Sequence, residues 1–442
     1  MSAPTPRSSD DLLIDRITRP FLMFLEHKLA GAILLLLSTI IALIWANSPL
    51  AAIHYDLLHT YAGLGIGELY HEKSISHWIN DGLMGVFFFV VGLEIKREFL
   101  AGELANPRTA ALPIFAAAGG MLVPASIYVA INPGGDAFQG WGIPMATDIA
   151  FALGILALFP VSISLKVFLT ALAIVDDIGA ILVVAIFYTD DIAAQSLVIG
   201  GFFLMVSIGA NIAGVRNPII YGLIGAIVWF AFLKSGVHAT LAAVLMAFTI
   251  PARTRIDGLQ FVETTEMLLK RLRESGLPQG NSLLSNEQHS IVHEMEQVTE
   301  KATAPLQELE HALMPFVTFM ILPIFALANA GVVIADDFTA VLTNHIALGI
   351  IAGLFIGKPL GILFFAWLAI KLRIAELPDG VSFLQIAGAG MLAGVGFTMA
   401  LFISTLAWPD EALIDIAKTG VLIGSVLSAM GGAIILYMTT RT

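Results

Sequence analysis

Four ionisable side chains lie inside long apolar stretches of this sequence. Asp148 lies in "GIPMATDIAFALG", Asp176 and Asp177 in "ALAIVDDIGAILVVAIFYT", and Lys358 in "GLFIGKPLGILFF". An Asp or Lys at the centre of a membrane span costs about 2.5 to 3.5 kcal/mol on insertion scales, so the four together cost roughly 10 kcal/mol. Buried charges of this kind face a polar cavity or one another. We therefore expect these residues to form a functional site.

The chemistry that these residue types favour is the binding of a small cation and of protons. Sodium and lithium prefer oxygen ligands, which carboxylates and a hydroxyl such as that of Thr147 supply. Adjacent helix residues point about 100° apart, so either Asp176 or Asp177 can bind an ion while the other meets Lys358. A carboxylate holds a proton or a metal ion but not both, which by itself permits exchange. The alternative is a structural Asp–Lys pair, although such pairs stabilise poorly compared with an apolar core.

The composition is that of a polytopic membrane protein. Of the 442 residues, 57% are hydrophobic and only 13% are charged, and the mean hydropathy is +0.87. Apolar runs of about 20 residues recur, each long enough to cross a bilayer as a helix, whereas a β-barrel would show short alternating segments. The partner that this predicts is the lipid bilayer, and the net charge of −12 argues against nucleic acid. The absence of cysteine excludes disulfides and thiolate metal sites, and we expect no resident cofactor.

The apolar runs predict an all-α fold with about twelve transmembrane helices. The expected spans are residues 28–48, 77–95, 110–131, 142–159, 165–187, 195–212, 218–233, 236–250, 312–333, 345–370, 385–407 and 413–438. The two shortest neighbours, split at "LKSGVHAT", can also be read as one interrupted hairpin. The N-terminus shows no removable signal peptide, so we expect the first span to act as its own insertion signal.

The distribution of basic residues predicts the orientation. If the N-terminus is inside, 18 of the 22 Lys and Arg residues fall in inside segments, and the excess of such residues marks the cytoplasmic side. Both termini are therefore expected in the cytoplasm. The expected domains are a cytoplasmic N-terminal segment (1–27), spans one to eight (28–250), a cytoplasmic polar insertion (251–311) and spans nine to twelve (312–442).

Two polar connections carry secondary-structure patterns of their own. In the insertion, Ile291, Met295, Val298 and Ala302 recur at helical spacing, which favours a surface helix, with a regulatory or partner-binding segment as the alternative. In the outside connection, residues 49–76, the stretch "GLGIGELYH" alternates like a strand and predicts a small β-hairpin.

The spans that carry the charges contain helix-breaking residues. Gly142, Pro144 and Gly154 lie in one span, and "GAGMLAGVGFTMALF" carries several glycines in another. Such residues in corresponding spans of two halves indicate discontinuous helices that cross at a transport site. Lys358 would offset the negative C-terminal ends of the half-helices and Asp148 the positive N-terminal ends. Close helix packing is the alternative explanation of the glycines.

Seven motifs together resemble a known family. In order they are "WINDGLMGVFFFVVGLEIKREFL", "GIPMATDIAFALG", "ALAIVDDIGAI", "LKSGVHATLA", "LPIFALANAGV", "GLFIGKPLGI" and "GVGFTMALFI". They resemble the NhaA family of bacterial sodium/proton antiporters, over nearly all of the chain outside the insertion. The resemblance implies a multi-pass transporter of the bacterial inner membrane, not an enzyme, that exports Na⁺, and Li⁺ as well, in exchange for H⁺. Because family members exchange more than one proton per sodium, it also implies electrogenic transport.

The resemblance also implies roles for individual residues. Asp177 corresponds to the main cation ligand, with Asp176 as the second ionisable group at the transported Na⁺ and the partner of Lys358. Thr147 and Asp148 correspond to the unwound crossing of the fourth span.

Further residues match positions tied to access and to pH. Asp81, at the start of the second span, corresponds to an entrance, and Glu94, Glu98, His238 and Glu310 correspond to residues linked to activation at alkaline pH. A solvated charge cluster and a structural histidine are the alternatives. The insertion before Glu310 is longer than in familiar members, which weakens this comparison. The hairpin in residues 49–76 implies a homodimer.

Two other functions remain as alternatives to the antiporter. A cation channel would show continuous polar faces or carbonyl-lined filter loops, and neither is evident. An intramembrane aspartyl protease would use Asp148 and Asp177 as two carboxyls that share a proton. Lys358 nearby and the lack of a G-x-G-D element in any span count against it.

Overall fold

The computed structural model describes residues 29–64, 71–189, 192–276, 283–333 and 343–441. Within these ranges the chain is an all-α membrane protein with one small strand pair. Seven described helices are long and apolar enough to cross a membrane, or nine if each of two bent helix pairs counts as one span. The predicted N-terminal cytoplasmic segment lies outside the described residues.

The helices are numbered here in chain order. They are α1 Ala30–Ala46, α2 Ala51–His59, α3 Ile75–Ala101, α4 Pro107–Ile131, α5 Ile149–Leu156, α6 Ile163–Phe187, α7 Ala194–Ile212, α8 Pro218–Leu233, α9 Ala239–Thr249, α10 Gly258–Glu274, α11 Asn286–Ala302, α12 Pro305–Asn329, α13 His345–Lys371, α14 Phe383–Ala393, α15 Phe397–Ala407 and α16 Glu411–Thr440. Three of them contain a π-helical turn, at Trp78–Leu83, Val317–Ile321 and Gly353–Gly357.

The connection after α2 contains the expected β-hairpin. Strands β1 (Tyr61–Leu64) and β2 (His71–Ser74) are antiparallel, with Tyr61 opposite Ser74 and Leu64 opposite His71. Residues 65–70, which carry most of the alternating sequence pattern, lie outside the described residues.

The chain divides into two compact units. One unit comprises residues 1–83, 106–188 and 318–442, and the other comprises residues 84–105 and 189–317. In the first unit, buried apolar side chains of α4, α5, α6, α13 and α14 form one continuous core. Gly119 of α4 and Gly361 of α13 face each other so closely that a Cβ on either would overlap the other's backbone carbonyl.

Two segments of the first unit are interrupted, and their breaks touch. A 3-10 segment, Asp136–Met145, is followed by extended backbone that leads into α5, and α14 and α15 are bent by 45° where residues 394–396 separate them. The Asp148 amide donates to the Val395 carbonyl at 2.7 Å. The breaks follow from composition, because Pro144 has no amide hydrogen and glycine weakens a helix.

The second unit consists of α7, α8, α9, the α3 residues from Met84 onward and the polar insertion with the start of α12. α8 and α9 are separate helices joined through Gly236, whose φ is +81°. The predicted helix of the insertion is present as α11, and it pairs with α10, which the sequence pattern did not indicate. Leu268 and Ile291 are buried in this pair. α12 begins at Pro305 rather than at residue 312, so Glu310 lies inside this helix.

Candidate functional site

Six polar side chains of the first unit are almost completely buried and lie on four elements around the two breaks. They are Thr147, Asp148, Asp176, Asp177, Lys358 and Thr398, each at most 2% exposed. Asp176 and Asp177 are on α6, Lys358 is on α13, Thr398 is on α15, and the other two follow the 3-10 segment. The structure thus brings together all five residues predicted for cation and proton binding. Thr398 was not predicted.

Asp176 is the centre of a hydrogen-bonded cluster. Its Oδ2 atom lies 2.8 Å from Lys358 Nζ and 2.7 Å from Thr147 Oγ1. Lys358 also donates to the Met145 carbonyl at the end of the 3-10 segment. The expected contact of Lys358 with the C-terminal end of a half-helix is therefore present, and so is its pairing with Asp176.

The cluster has more acceptors than hydrogens around Thr147. Its hydroxyl oxygen lies 2.7 Å from Asp176 Oδ2 and 2.9 Å from the Ala393 carbonyl, yet it carries one hydrogen. If that hydrogen points to Ala393, the short contact with Asp176 requires a proton on the carboxyl or a cation beside it. The Lys358 ammonium, 2.8 Å from Asp176 Oδ2, is such a cation. Asp176 Oδ1 is buried and accepts no hydrogen bond from the described residues.

Asp177 is buried beside this cluster but faces another direction on α6. It interacts electrostatically with Lys358. Asp176 makes an ion pair with the same lysine, so both carboxylates of α6 act on one ammonium group.

Asp148 joins the N-terminal ends of two half-helices. Its Oδ1 atom accepts from the Phe151 amide at 3.1 Å at the start of α5. Its Oδ2 atom accepts from the Thr398 amide at 3.1 Å and from the Thr398 hydroxyl at the start of α15. Partial positive charge accumulates at both helix starts, so the carboxylate is placed as expected.

The start of α15 receives its caps from other elements, because its N-cap residue, Gly396, has no side chain. Asp148 caps the Thr398 amide, and Ser425 of α16 accepts from the Phe397 amide at 3.1 Å. Ser428 of α16 donates to the Leu354 carbonyl at 3.3 Å, in the π-turn directly before Lys358. The only sequence signal for Thr398 was its place two residues after the glycine break.

Three of the four residues predicted for pH response meet on one arginine in the second unit. Arg97 lies 3.1 Å from Glu98, 3.5 Å from Glu310 and 3.8 Å from Glu94. A cavity of about 350 Å³ opens beside this cluster, lined by Arg97, Gln307, Glu310, His311 and Met314. The fourth residue predicted for pH response, His238, is the N-cap residue of α9.

Asp81, the predicted entrance residue, lies in the first π-turn of α3. Its neighbour Asn80 accepts a hydrogen bond of 2.8 Å from Asn329, the last residue of α12. The role of Asp81 as an entrance residue stays a prediction.

Comparison with known proteins identifies the family. The model of the Na⁺/H⁺ antiporter 1 family matches residues 23–436. A protein of Oleidesulfovibrio alaskensis, named Na⁺/H⁺ antiporter NhaA, is 49% identical over 97% of this chain and 96% of its own length. The chain belongs to this family.

Other members of the Na⁺/H⁺ antiporter family are similarly close to the chain. A Koribacter versatilis protein is 47% identical over 98% of this chain and 94% of its own, and one from Saccharophagus degradans is 46% identical over 96% and 92%. Both are named as NhaA antiporters. The matches extend through the polar insertion, since they cover nearly all of the chain.

Proposed function

We propose that the chain exchanges sodium ions for protons across a membrane. The observation that carries the proposal is the buried cluster of Asp176, Asp177, Lys358 and Thr147 beside two interrupted helices. The antiporter names of the relatives agree with it and do not favour a channel or a protease. The activity is transport, and Na⁺ and H⁺ are the substrates.

In this proposal the exchange is a competition for carboxylate oxygens. A sodium ion binds Asp177, with the Asp176 carboxylate and the Thr147 hydroxyl as further oxygen ligands. Protons that bind the two carboxyls displace the ion, because a protonated carboxyl is a poor ligand for a cation. Lys358 pairs with Asp176 while no cation is bound, which limits the cost of the buried negative charge. Asp148 balances the helix ends and keeps the break open for the ion.

The architecture proposed for this function has twelve spans, inverted repeats and two discontinuous helices that cross near the middle of the bilayer. The hydrogen bonds from Asp148 to Val395 and from Thr147 to Ala393, which join the two breaks, support the crossing. The basic-residue count supports cytoplasmic termini and a cytoplasmic insertion, and a bacterial inner membrane as the location.

Three further properties are proposed from the family resemblance. Transport is electrogenic, accepts Li⁺ as well as Na⁺, and is activated at alkaline pH. The Arg97 cluster supports the last point, because Glu94, Glu98 and Glu310 change their attraction to Arg97 when they gain or lose protons. In this proposal His238 adds to the pH response and Asp81 lines the entrance. The β-hairpin mediates a homodimer.

The proposal is tested in inside-out vesicles from cells that express the protein. Respiration makes the vesicle interior acidic, a fluorescent dye reports the gradient, and Na⁺, Li⁺ or K⁺ is added at several pH values. Na⁺ should collapse the gradient for the wild type and for Asp379→Asn, an exposed loop acid, but not for Asp177→Asn. A gradient that no cation collapses, despite folded protein in the membrane, would reject the antiporter. Equal collapse with Asp177→Asn would reject the assigned ligand.

A further inference from the structure

Three aromatic side chains bind the backbone of the 3-10 segment that leads into the site. Tyr128 Oη donates to the Ala137 carbonyl at 2.7 Å, Tyr188 Oη to the Gln139 carbonyl at 2.6 Å, and Trp408 Nε1 to the Asp136 carbonyl at 2.7 Å. We call Tyr128, Tyr188 and Trp408 the aromatic triad. They come from the ends of three different elements, α4, α6 and α15.

Tyr188 is inserted into the hydrogen-bond pattern of the segment. Its hydroxyl accepts from the Gly142 amide at 3.3 Å and donates to the Gln139 carbonyl, which are the two groups that an i→i+3 hydrogen bond would join. Burial raises the pKa of this hydroxyl, and the Gly142 amide opposes that change only in part. The hydroxyl therefore keeps its hydrogen, and donates it, at physiological pH.

Two glycines allow the triad to approach this closely. A Cβ on Gly140 would overlap the Trp408 ring and the Tyr128 hydroxyl, and a Cβ on Gly142 would lie 2.9 Å from the Tyr188 hydroxyl. These contacts with the aromatic triad explain the two glycines of "GWGIP" better than helix–helix packing does.

The segment that the triad holds ends at the site. Its exposure falls from Asp136 at the surface to the fully buried Ile143, and its last residue, Met145, provides the carbonyl that binds Lys358. Thr147 and Asp148 follow within three residues. Pro144 cannot donate a backbone hydrogen bond, so hydrogen bonds within the segment alone restrain its end weakly.

From this geometry we propose that the aromatic triad consists of positioning residues for the exchange. By fixing the 3-10 segment, the triad holds the Met145 carbonyl on Lys358 and the Thr147 hydroxyl on Asp176, so the cation site is organised before the ion arrives. The inference rests on the proposed function of that site. A site organised in advance binds more tightly, because less conformational freedom is lost on binding.

The test removes one hydroxyl group. Tyr188→Phe should raise the apparent KM for sodium in the vesicle assay by about three- to tenfold, the range expected for one lost hydrogen bond, with the maximal rate nearly unchanged. Tyr221→Phe is the matched control, because Tyr221 Oη donates to the Val215 carbonyl at 2.8 Å in a loop of the other unit. It should leave the KM at the wild-type value. Tyr128→Phe provides a second variant of the triad.

A second readout separates this inference from the function on which it rests. Sodium-dependent protection of the purified protein against thermal unfolding measures binding without exchange. If the wild type binds sodium but exchanges nothing, the proposed function fails, and weaker protection in Tyr188→Phe still supports the positioning role. A KM and a protection curve equal to wild type in both triad variants would overturn the inference. Loss of folded protein in both triad variants would also overturn the inference, since the role of the hydroxyl groups would then be structural.

Discussion

At the scale of single residues, two acceptors of the candidate site face one hydroxyl hydrogen. The Asp176 carboxylate and the Ala393 carbonyl compete for the one hydrogen of the Thr147 hydroxyl, and Lys358 donates to both Asp176 and the Met145 carbonyl. A proton or a cation that enters this cluster would compete with Lys358 and Thr147 for the Asp176 carboxylate. Such a cluster in a low-dielectric interior changes its hydrogen bonding when either one binds.

Thr398 allows a sharp test at this scale. Thr398→Val removes the hydroxyl that donates to Asp148 and should raise the apparent sodium KM by about three- to tenfold, whereas Thr398→Ser should retain the wild-type KM. The control is Thr405→Val on the same helix, whose hydroxyl bonds to the Phe402 carbonyl instead. Dye-reported exchange in vesicles measures all three variants. If the Ser and Val variants of Thr398 behave alike, its hydroxyl does not position Asp148.

At the scale of elements, the breaks are stabilised by groups from other parts of the first unit. α16 supplies Ser425 to the start of α15 and Ser428 to the π-turn before Lys358, and the aromatic triad supplies donors to the 3-10 segment. A helix end buried in a membrane protein needs such partners, because no water is available to its free backbone groups. The local sequence thus favours the breaks, and groups from other elements of the unit satisfy the backbone that the breaks expose.

The close approach of α4 and α13 gives a prediction about stability. Gly361→Ala places a methyl group against the Gly119 carbonyl and should lower the free energy of unfolding by about 1 to 3 kcal/mol. Gly201→Ala on α7 is the control, since a Cβ there meets open space and alanine favours a helix. Thermal unfolding of the purified variants compares them. An unchanged unfolding temperature for Gly361→Ala would mean that α4 and α13 can move apart here at little cost in free energy.

At the scale of the whole molecule, the polar insertion is closed at its base. The Arg255 amide donates to the Lys301 carbonyl at 2.8 Å, and the Leu306 amide donates to the Pro251 carbonyl at 3.1 Å. α10 and α11 bury Leu268 and Ile291 against each other, and Arg271 and Glu294 form an ion pair at 2.9 Å. The ends of this helical hairpin are adjacent, so a short link can replace it without moving the chain on either side.

We therefore expect the hairpin to be dispensable for exchange itself. Replacement of residues 258–299 by a Gly-Ser-Gly-Ser linker should retain sodium-dependent collapse of the pH gradient, with less than about a threefold change in KM, because no residue of the cation site lies there. Leu268→Ala in the full-length chain is the companion variant, since it loosens the hairpin without removing it. Loss of exchange by normally folded, membrane-inserted linker protein would contradict the prediction.

Sequence alone determined the class of the protein and indicated the four charged residues of its candidate site. Long apolar runs force a helical membrane fold, because backbone polar groups in lipid must be satisfied within the segment, and charges in such runs are too costly to lack a use. These arguments identified Asp148, Asp176, Asp177 and Lys358. They also gave most helix positions, since hydrophobicity is a local property of the chain.

Only the tertiary structure decided which of these groups meet and what holds them. The pairing of Lys358 with Asp176, the capping of α15 by Asp148, and the binding of the 3-10 segment by Tyr128, Tyr188 and Trp408 join residues far apart in the chain. The pairing of α10 with α11 was likewise missed, because it depends on contacts between two segments rather than on the pattern of either one. Local sequence patterns reflect the secondary structure that a segment favours, whereas hydrogen bonds between distant segments depend on how the folded elements are packed.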